Sequence, residues 1–337
     1  MDSESFVDFL DAYGEAHPPE MPFREGEEIS EWRPRFRERI DSLRGPLPDR
    51  VEPLVEVLDS WEEADHTRFL LSIPVSAFST LPAYLLVPED LAPGEERPGL
   101  LVSHGHATYG MDAMCGVRGM DEGDGDRRAY ALFAVRAGFV VLAPAWWGWA
   151  SRDGHLDMVG SRDRCNVIQM AAGMYGLNVT DLHIQDGQAA LDVLASRPEV
   201  DAERIGCAGN SYGGRTTMWL TIYDERIKAC VPAGCMNTFR ERSLKLSSCG
   251  IQYLPGVLRY GDVSDLFCLI APRPMQLQAG AQDGLITPED RDEIEGKVRR
   301  AYRQMGEEPN LDYVLHPEGH LLRWDLAEPF LKRHLGE

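Results

Sequence analysis

A serine flanked by glycines, between an apolar run and a helix-forming segment, constrains the fold of this chain most. Residues 204–208 indicate a buried strand, and Gly209-Asn210-Ser211-Tyr212-Gly213 ends it before a helical segment at 215–220. Such a sharp turn strains the serine backbone and leaves no room for a Cβ at the glycines. Ser211 would lie at a helix N-terminus, whose dipole favours developing negative charge. The G-x-S-x-G pattern in this context predicts a nucleophilic serine on an α/β sheet.

The charge of the chain limits its partners. Its 337 residues include 55 acidic and 34 basic side chains, and the formal net charge is −21 at pH 7. Nucleic acid and anionic membrane surfaces are therefore unfavourable partners, because both are negatively charged. We expect a small-molecule ligand instead, and the sequence leaves a homo-oligomer open.

Cysteine usage and the N-terminal residues bear on the cellular setting. The chain has seven cysteines, an odd number, and no C-x-x-C pair, so the sequence predicts neither a disulfide framework nor a zinc site. Residues 1–20 are acidic and lack the apolar stretch of a signal peptide. No run approaches the ~18 apolar residues of a membrane span. We expect a reducing, cytoplasmic setting, with a removed leader as the alternative.

The first 66 residues differ in pattern from the rest. Apolar residues recur there at helical spacing in two groups, namely Phe6, Phe9, Leu10 and Tyr13, and then Trp32, Phe36, Ile40 and Leu43. These are too few for a separate core. We therefore predict that residues 1–66 form an N-terminal helical extension packed on a main domain of residues 67–337. A lid or an oligomer contact is the functional alternative for this extension.

Strand-like segments begin at residue 67. Residues 68–75 and 81–87 predict an antiparallel hairpin. Beyond residue 97, apolar runs typical of strands covered on both faces alternate with helical segments. These runs are 98–103, 139–144, 204–208, 227–232, 274–279 and 311–315. We predict an α/β chain with a mostly parallel, doubly wound sheet, antiparallel first strands, and an irregular insertion at 235–265 near the site, since ligands gather at the C-terminal edge of such sheets.

The residues that could activate Ser211 follow two of these strands. A serine hydroxyl is a poor nucleophile and needs a base that is itself oriented by an acid. On such a sheet the acid precedes the histidine, and both follow the serine. Asp283 and His320 stand in that order, each in a loop after a predicted strand. The alternatives are Asp262, Asp265 and Asp290 for the acid and His316 for the base.

Backbone donors for an oxyanion are expected on both sides of Ser211. One is the N–H of Tyr212, directly after the serine, and the other lies in the loop at 104–107. We expect the N–H of His106, with Ala107 as the second choice. His104 and His106 could also ligate a metal, but no third ligand has suitable spacing. The sequence therefore predicts neither a metal nor another cofactor.

Together, Ser211, Asp283 and His320, with the loop that begins at His104, resemble the α/β-hydrolase superfamily over residues 67–335. Residues 200–206 and 261–274 further resemble acetyl xylan esterase-like and dienelactone hydrolase-like bacterial serine hydrolases. The resemblance implies hydrolysis of a carboxylic ester through an acyl-enzyme. Two departures are visible. Dienelactone hydrolases proper have a cysteine at the position of Ser211, and aromatic residues replace the Arg-Gly pair usual in carbohydrate acetyl esterases.

Aromatic side chains near the expected site predict its walls. Tyr109, Trp146, Trp147 and Trp149 are the expected substrate-binding residues, because aromatic walls suit sugar rings and flat lipophilic groups. Packing beneath the site is the alternative for the tryptophans. Three other functions remain open on the same residues: cleavage of a C–C or amide bond, acyl transfer, and ligand binding without catalysis.

Overall fold

A nine-stranded sheet organises the chain. The computed structural model describes residues 5–121, 126–153, 164–245 and 248–336. The strands are β1 (Glu56–Glu62), β2 (His66–Ser76), β3 (Ser79–Pro88), β4 (Arg97–Ser103), β5 (Val140–Pro144), β6 (Val200–Asn210), β7 (Ile227–Ala233), β8 (Met275–Gly280) and β9 (Leu311–His316). Their order across the sheet is β1-β2-β3-β5-β4-β6-β7-β8-β9.

The sheet has an antiparallel part and a parallel part. β1, β2, β3 and β5 pair antiparallel in that order, whereas every pairing from β5 through β4 to β9 is parallel. Parallel strands place their carboxyl ends at one edge of the sheet, where the loops that follow them meet. The prediction of a mostly parallel sheet with antiparallel first strands is confirmed.

Helices cover both faces of the sheet. They are α1 (Phe6–Ala16), α2 (Ile29–Asp41), α3 (Met111–Met114), α4 (Tyr130–Arg136), α5 (Arg164–Gly173), α6 (Val179–Ala195), α7 (Tyr212–Tyr223), α8 (Phe239–Leu244), α9 (Val263–Cys268), α10 (Pro288–Gln304) and α11 (Trp324–Leu335). On β4, Leu101 packs in one core with α6 and α7, while Leu100 and Val102 pack in the other with α4 and α11. This alternation follows from the two-residue repeat of a strand. None of the described helices combines the length and the hydropathy needed to cross a bilayer.

The first 66 residues contain a strand as well as two helices. β1 lies within this segment and pairs with β2 along the edge of the sheet. The predicted extension is therefore not wholly helical. The sequence did not reveal β1 because six of its seven residues are exposed, so no alternation of apolar and polar side chains marks it.

The two predicted N-terminal helices are both present, but they pack differently. α2 buries Ile29, Trp32, Phe36 and Ile40, whereas α1 buries no residue. The connecting segment is tied to the main domain, because the Met21 N–H donates to the Tyr260 carbonyl at 2.9 Å. The extension therefore contacts the main domain through β1, α2 and the segment before α2, whereas α1 contributes no buried residue.

The insertion at 235–265 is only partly irregular. In its described part, α8 and the first residues of α9 are joined by loops and single 3-10 turns. Thr238 begins α8, where its side chain accepts a hydrogen bond from the Glu241 N–H. The insertion follows β7 and so lies at the carboxyl edge of the sheet, beside the loop that carries Ser211.

Candidate active site

Ser211 occupies a strained turn between β6 and α7. Its φ of 62° lies in the left-handed region that non-glycine residues rarely adopt. Its N–H donates to the Ala233 carbonyl at 2.8 Å. A Cβ on Gly209 would lie 2.5 Å from the Gly213 carbonyl oxygen, and a Cβ on Gly213 would lie 2.1 Å from that of Ser103. Both glycines are therefore required by close backbone packing, as the sequence predicted for this turn.

His320 is held by Asp283. The His320 Nδ1 lies 2.6 Å from Asp283 Oδ2, and the Asp283 side chain is fully buried. The Leu285 N–H donates to the other carboxylate oxygen at 2.9 Å. Because an ionised carboxylate only accepts hydrogen bonds, the His320 proton resides on Nδ1 in the neutral imidazole. Nε2 is thus left as the acceptor, and this buried atom has no partner among the described residues.

Ser211 and His320 face shared space at the carboxyl edge of the sheet. Both line a cavity of about 410 Å³, and both also line a second one of about 120 Å³. His106 contributes to the walls of both cavities. The structure thus brings together Ser211, Asp283, His320 and His106, which the sequence had placed in four separate loops.

The loop after β4 packs directly against the turn that holds Ser211. A Cβ on Gly105 would lie 2.9 Å from the Asn210 carbonyl oxygen and 3.4 Å from the Ser211 Cβ. On the other side, Tyr212 is the first residue of α7, where backbone N–H groups have no partner within the helix. The two backbone segments expected to supply oxyanion donors therefore flank Ser211.

His104 positions this loop and is not a ligand or a base. It is fully buried, its Nδ1 donates to the Gly105 carbonyl at 2.9 Å, and its Nε2 accepts from the Trp146 N–H at 3.2 Å. Burial lowers the pKa of His104 to about 4. The neutral imidazole therefore connects the loop after β4 to the loop after β5.

The aromatic residues predicted to bind substrate lie outside the described walls of the two cavities. None of Tyr109, Trp146, Trp147 and Trp149 is among the described residues that line the two cavities. Trp146 is fully buried in the core, and the Trp147 ring lies beneath the Arg152 guanidinium at 3.7 Å. The sequence indicated aromatic residues in a loop near the site, but the direction of each ring depends on tertiary packing.

Trp149 and Tyr109 also pack against protein. The Trp149 ring stacks on that of Tyr212 at 5.5 Å, and its Nε1 donates to the Ala107 carbonyl at 2.9 Å. Tyr109 lies so close to Gly119 that a Cβ there would be 2.5 Å from its ring. Trp149 therefore joins the loop after β4 to the residue that follows the serine.

His183, on α6, supports the same region and was not identified from the sequence. Its Nε2 accepts from the Trp147 N–H at 3.2 Å, and its Nδ1 lies 2.7 Å from the Tyr212 hydroxyl. Burial lowers its pKa well below the usual range. A histidine within an amphipathic helix carries no sequence signal for this role.

The larger cavity is lined mostly by residues that the sequence did not identify. Besides Ser211, His106 and His320, its described lining consists of Arg215, Gly234, Cys235, Asn237, Arg242, Ser248, Cys249, Gln252 and Leu285. Most belong to the insertion, which the sequence had placed near the site. Arg215 had one available signal, its position four residues after Ser211, because such residues share one face of a helix.

The alternative acids and base have other partners or positions. Asp262 accepts from the Phe239 N–H at 2.7 Å at the start of α9, and burial raises its pKa to about 6. Asp265 accepts from the Lys297 ammonium at 3.0 Å, and Asp290 from the Thr238 N–H at 3.0 Å. His316 is buried at the end of β9.

One group of side chains has the chemistry of a metal site. The ligand atoms of His106, Cys165 and Cys249 lie within 4.8 Å of one another. Imidazole and thiolate are ligands that suit Zn²⁺ and Cu⁺. The sequence had considered His104 and His106 as a pair, but the structure groups His106 with two cysteines distant in the chain.

Comparisons with known sequences agree with this description. Residues 118–247, which include Ser211, match the dienelactone hydrolase family. YtaP of Bacillus subtilis (strain 168), a candidate hydrolase by name, is 27% identical over 289 residues, which cover 84% of this chain and 92% of YtaP.

Solved structures share the fold. An acetyl xylan esterase candidate from Bacteroides fragilis NCTC 9343 has a TM-score of 0.76 at 17% identity, over 93% of this chain and 82% of its own. A glucuronoyl esterase from Solibacter usitatus has a TM-score of 0.68 at 15% identity, over 95% and 97%. The chain thus has an α/β-hydrolase fold, and its residues 118–247 match the dienelactone hydrolase family.

Proposed function

We propose that this protein hydrolyses carboxylic esters, with Ser211 as the nucleophile, His320 as the general base and Asp283 as the acid that orients His320. One observation carries this proposal. The imidazole of His320 is bound through Nδ1 to a buried carboxylate, its Nε2 has no partner among the described residues, and His320 lines the same cavity as Ser211. This combination suits proton transfer between a serine and a substrate.

In the first half of the reaction, the Ser211 Oγ attacks the ester carbonyl carbon while His320 Nε2 takes the hydroxyl proton. Asp283 stabilises the imidazolium that forms. The tetrahedral oxyanion accepts hydrogen bonds from the backbone N–H groups of Tyr212 and His106, which flank the serine. The C–O bond to the alcohol then breaks, His320 returns the proton to the departing alkoxide, and an acyl-enzyme remains.

In the second half, water replaces the alcohol. His320 Nε2 takes a proton from the water as it attacks the acyl carbon, and the same backbone groups hold the second oxyanion. Collapse releases the carboxylic acid, and the proton returns to Ser211. Each proton goes through one imidazole, so the cycle needs no cofactor.

The comparisons support an ester as the substrate class. The dienelactone hydrolase family match includes the serine turn, and the two structural neighbours named above are called esterases. Because their identity to this chain is low, the alcohol and acyl groups of the substrate have to be sought in the cavity itself.

A serine-reactive fluorophosphonate tests the proposal together with short p-nitrophenyl esters. We expect labelling at Ser211 and hydrolysis of the esters, both lost in Ser211→Ala. Labelling should also fall sharply in His320→Ala, because the hydroxyl then lacks its base. Circular dichroism and thermal melting check that each variant folds.

Two outcomes would contradict the proposal. Labelling of folded His320→Ala at the wild-type rate would exclude His320 as the base. Labelling at Ser211 without hydrolysis of any ester in a broad panel would instead favour C–C or amide cleavage, or acyl transfer, on the same residues.

A further inference from the structure

His106, Cys165 and Cys249 form a compact group in the structure, although they are far apart in the chain. The Cys165 Sγ lies 3.3 Å from His106 Nε2, and the ligand atoms of all three residues lie within 4.8 Å of one another. In tetrahedral Zn²⁺ sites, bonds of about 2.3 Å to sulfur and about 2.0–2.1 Å to nitrogen place neighbouring ligand atoms about 3.5–3.8 Å apart. Small side-chain adjustments would therefore allow all three residues to bind one ion.

A direct hydrogen bond connects the two segments that carry the cysteines. Asn166, which follows Cys165 in the first turn of α5, accepts from the Gly250 N–H at 2.6 Å, and Gly250 directly follows Cys249. Both cysteines are buried, at 5% and 7% exposure, so packing restricts their rotamers. The helix dipole at the start of α5 also favours a negatively charged Cys165 thiolate, which is the form that binds metal.

The imidazole of His106 connects this group to the cavity of the candidate active site. Its ring packs against two aromatic rings, with centroids 5.4 Å from that of Trp149 and 5.1 Å from that of Tyr212. His106 and Cys249 both line the cavity of about 410 Å³, which Ser211 also lines. An ion bound by the group would therefore be accessible from the space in which an ester meets the serine.

A thiol beside an imidazole is also the arrangement of a nucleophilic cysteine. Such cysteines are partly exposed, whereas Cys165 is buried and is not among the described lining of either cavity. A second thiol in the same group contributes nothing to nucleophilic attack. It does complete a set of three ligands of the kind that holds Zn²⁺ with one position open. The presence of Cys249 therefore favours metal binding over a second nucleophile.

We propose that His106, Cys165 and Cys249 bind one Zn²⁺ ion, and that the bound ion reversibly inhibits ester hydrolysis. Each thiol loses its proton to solvent on binding, so the affinity for the ion rises with pH. The ion and a water on its fourth position would take up part of the cavity that the ester needs, because two of the ligands are in its wall. Metal binding is independent of the proposed function, whereas the inhibition rests on it, and the metal-free protein is the active form.

Spectroscopy tests metal binding without reference to activity. The full-length protein is treated with a chelator, desalted, kept reduced with a phosphine, and titrated with Co²⁺ and then with Zn²⁺. We expect thiolate-to-cobalt charge-transfer absorption that saturates at one ion per chain, disappears when Zn²⁺ is added, and is weaker at lower pH. A titration with Co²⁺ that shows no thiolate absorption would overturn the site.

Hydrolysis of p-nitrophenyl acetate tests the inhibition on the same preparation. Saturating Zn²⁺ should remove most of the activity of the metal-free protein, and excess chelator should restore it. Full activity under conditions where the cobalt titration shows the site to be occupied would overturn the inhibition. Reversible inhibition that occurs only without the phosphine would indicate a disulfide between the two cysteines and would overturn the metal site.

Cys165→Ser is the decisive variant, and each variant is compared with itself in the presence and absence of Zn²⁺. The Zn²⁺ concentration for half-inhibition should rise by more than the ~10–100-fold that loss of an outer-shell partner costs, because a direct ligand is removed. Cys268→Ser is the matched control. Cys268 is also buried, and its Sγ donates to the Ser264 carbonyl at 3.1 Å, as a serine hydroxyl can do. Unchanged sensitivity of Cys165→Ser, or an equal loss in both variants, would overturn the site.

Two further measurements keep the proposal falsifiable. If Cys165→Ser does not fold, Asn166→Ala replaces it, and this variant should bind Zn²⁺ about 10–100-fold more weakly because the segments of the two cysteines are no longer connected. Wild-type affinity in Asn166→Ala would then count against the site. Hydrolysis that persists in Ser211→Ala would instead refute the proposed function, and the cobalt titration would still decide whether the metal site exists.

Discussion

The two sides of Ser211 are constructed differently. On the supported side, His104 and His183 have partners at both ring nitrogens and hold the loops after β4 and β5. On the open side, His320 and Arg215 line the cavity, and His320 Nε2 and Arg215 Nη1 have no partners among the described residues. Buried polar groups in proteins are nearly always satisfied. The difference therefore separates groups that maintain the shape of the site from groups available to a ligand.

The largest expected effect is on the open side. Ser211→Ala should lower turnover by ~10⁴-fold or more, because no hydroxyl remains to form the acyl-enzyme. The thermal melting temperature should not fall, because alanine keeps the Cβ of the serine and removes only its hydroxyl. Ester hydrolysis and melting are measured on the same preparations. If turnover of Ser211→Ala stayed within tenfold of the wild type, the reacting group would lie elsewhere, and the proposed difference between the two sides would be contradicted.

Asp283→Asn should have the next largest effect. An amide cannot stabilise an imidazolium and can stabilise the wrong tautomer of His320, so we expect a loss in kcat of ~10³-fold or more. The loss should be greatest in kcat rather than KM, because Asp283 does not line the cavity. Asp290→Asn is the matched control and should retain most activity. Near-normal turnover of Asp283→Asn would remove Asp283 from the mechanism.

On the supported side, changes at Trp149 should act on stability. Trp149→Ala loses the stack on Tyr212 and should lower the free energy of unfolding by about 3 kcal/mol. Trp149→Phe keeps a ring but loses the hydrogen bond to Ala107, at about 1 kcal/mol. Urea unfolding measures both. If Trp149→Ala instead changes substrate preference without destabilising the protein, the ring contacts substrate and the two sides are not distinct.

His104, on the supported side, should also make the free energy of unfolding depend on pH. The pKa of His104 is about 4 when folded and 6.5 in its ordinary range. As pH falls from 6.5 to 4, the unfolded state binds a proton that the folded state excludes, so stability decreases, by up to about 3 kcal/mol. Above pH 6.5 this contribution is constant. The difference in unfolding free energy between the wild type and His104→Asn, followed across this window, isolates the effect, and parallel profiles would contradict it.

Metal removal should have the smallest effect. The proposed reaction uses no metal, so incubation with a chelator should leave kcat and KM of the wild-type protein unchanged. The experiment is informative because the ligand atoms of His106, Cys165 and Cys249 lie close enough together to hold a metal ion. A loss of activity that Zn²⁺ restores, and that is absent in Cys249→Ser, would show that a metal on the open side contributes to turnover.

Local sterics explain why the turn at Ser211 could be predicted. Gly209 and Gly213 lie against backbone carbonyls, so the pattern around the serine specifies the turn by itself. The parallel strands were predictable because both of their faces are buried and their apolar runs are continuous. β1 was not, because its side chains are mostly exposed. α1 shows the converse, since its apolar positions at Phe6 and Phe9 are helical in spacing yet exposed.

The residues of the candidate site also divide into those that the sequence could predict and those that it could not. Chain order and loop position sufficed to select Asp283 and His320, because parallel strands bring their following loops to one edge. The aromatic walls could not be assigned, because Trp146 and Trp149 turn into the protein through contacts with distant residues. Arg215 was overlooked since an arginine in a predicted helix is ordinarily solvent-exposed.

By itself, the sequence determined the α/β sheet, the strained serine turn and the order of the residues that could activate it, since these depend on backbone sterics and on periodicity within short segments. Only the tertiary structure decided which side chains surround the serine. The direction of a ring or a guanidinium depends on the free energy of packing and of satisfying polar groups among residues far apart in the chain. Arg215 and Trp149 show this. Arg215 lines the cavity, whereas the Trp149 ring stacks on Tyr212, the residue after the serine.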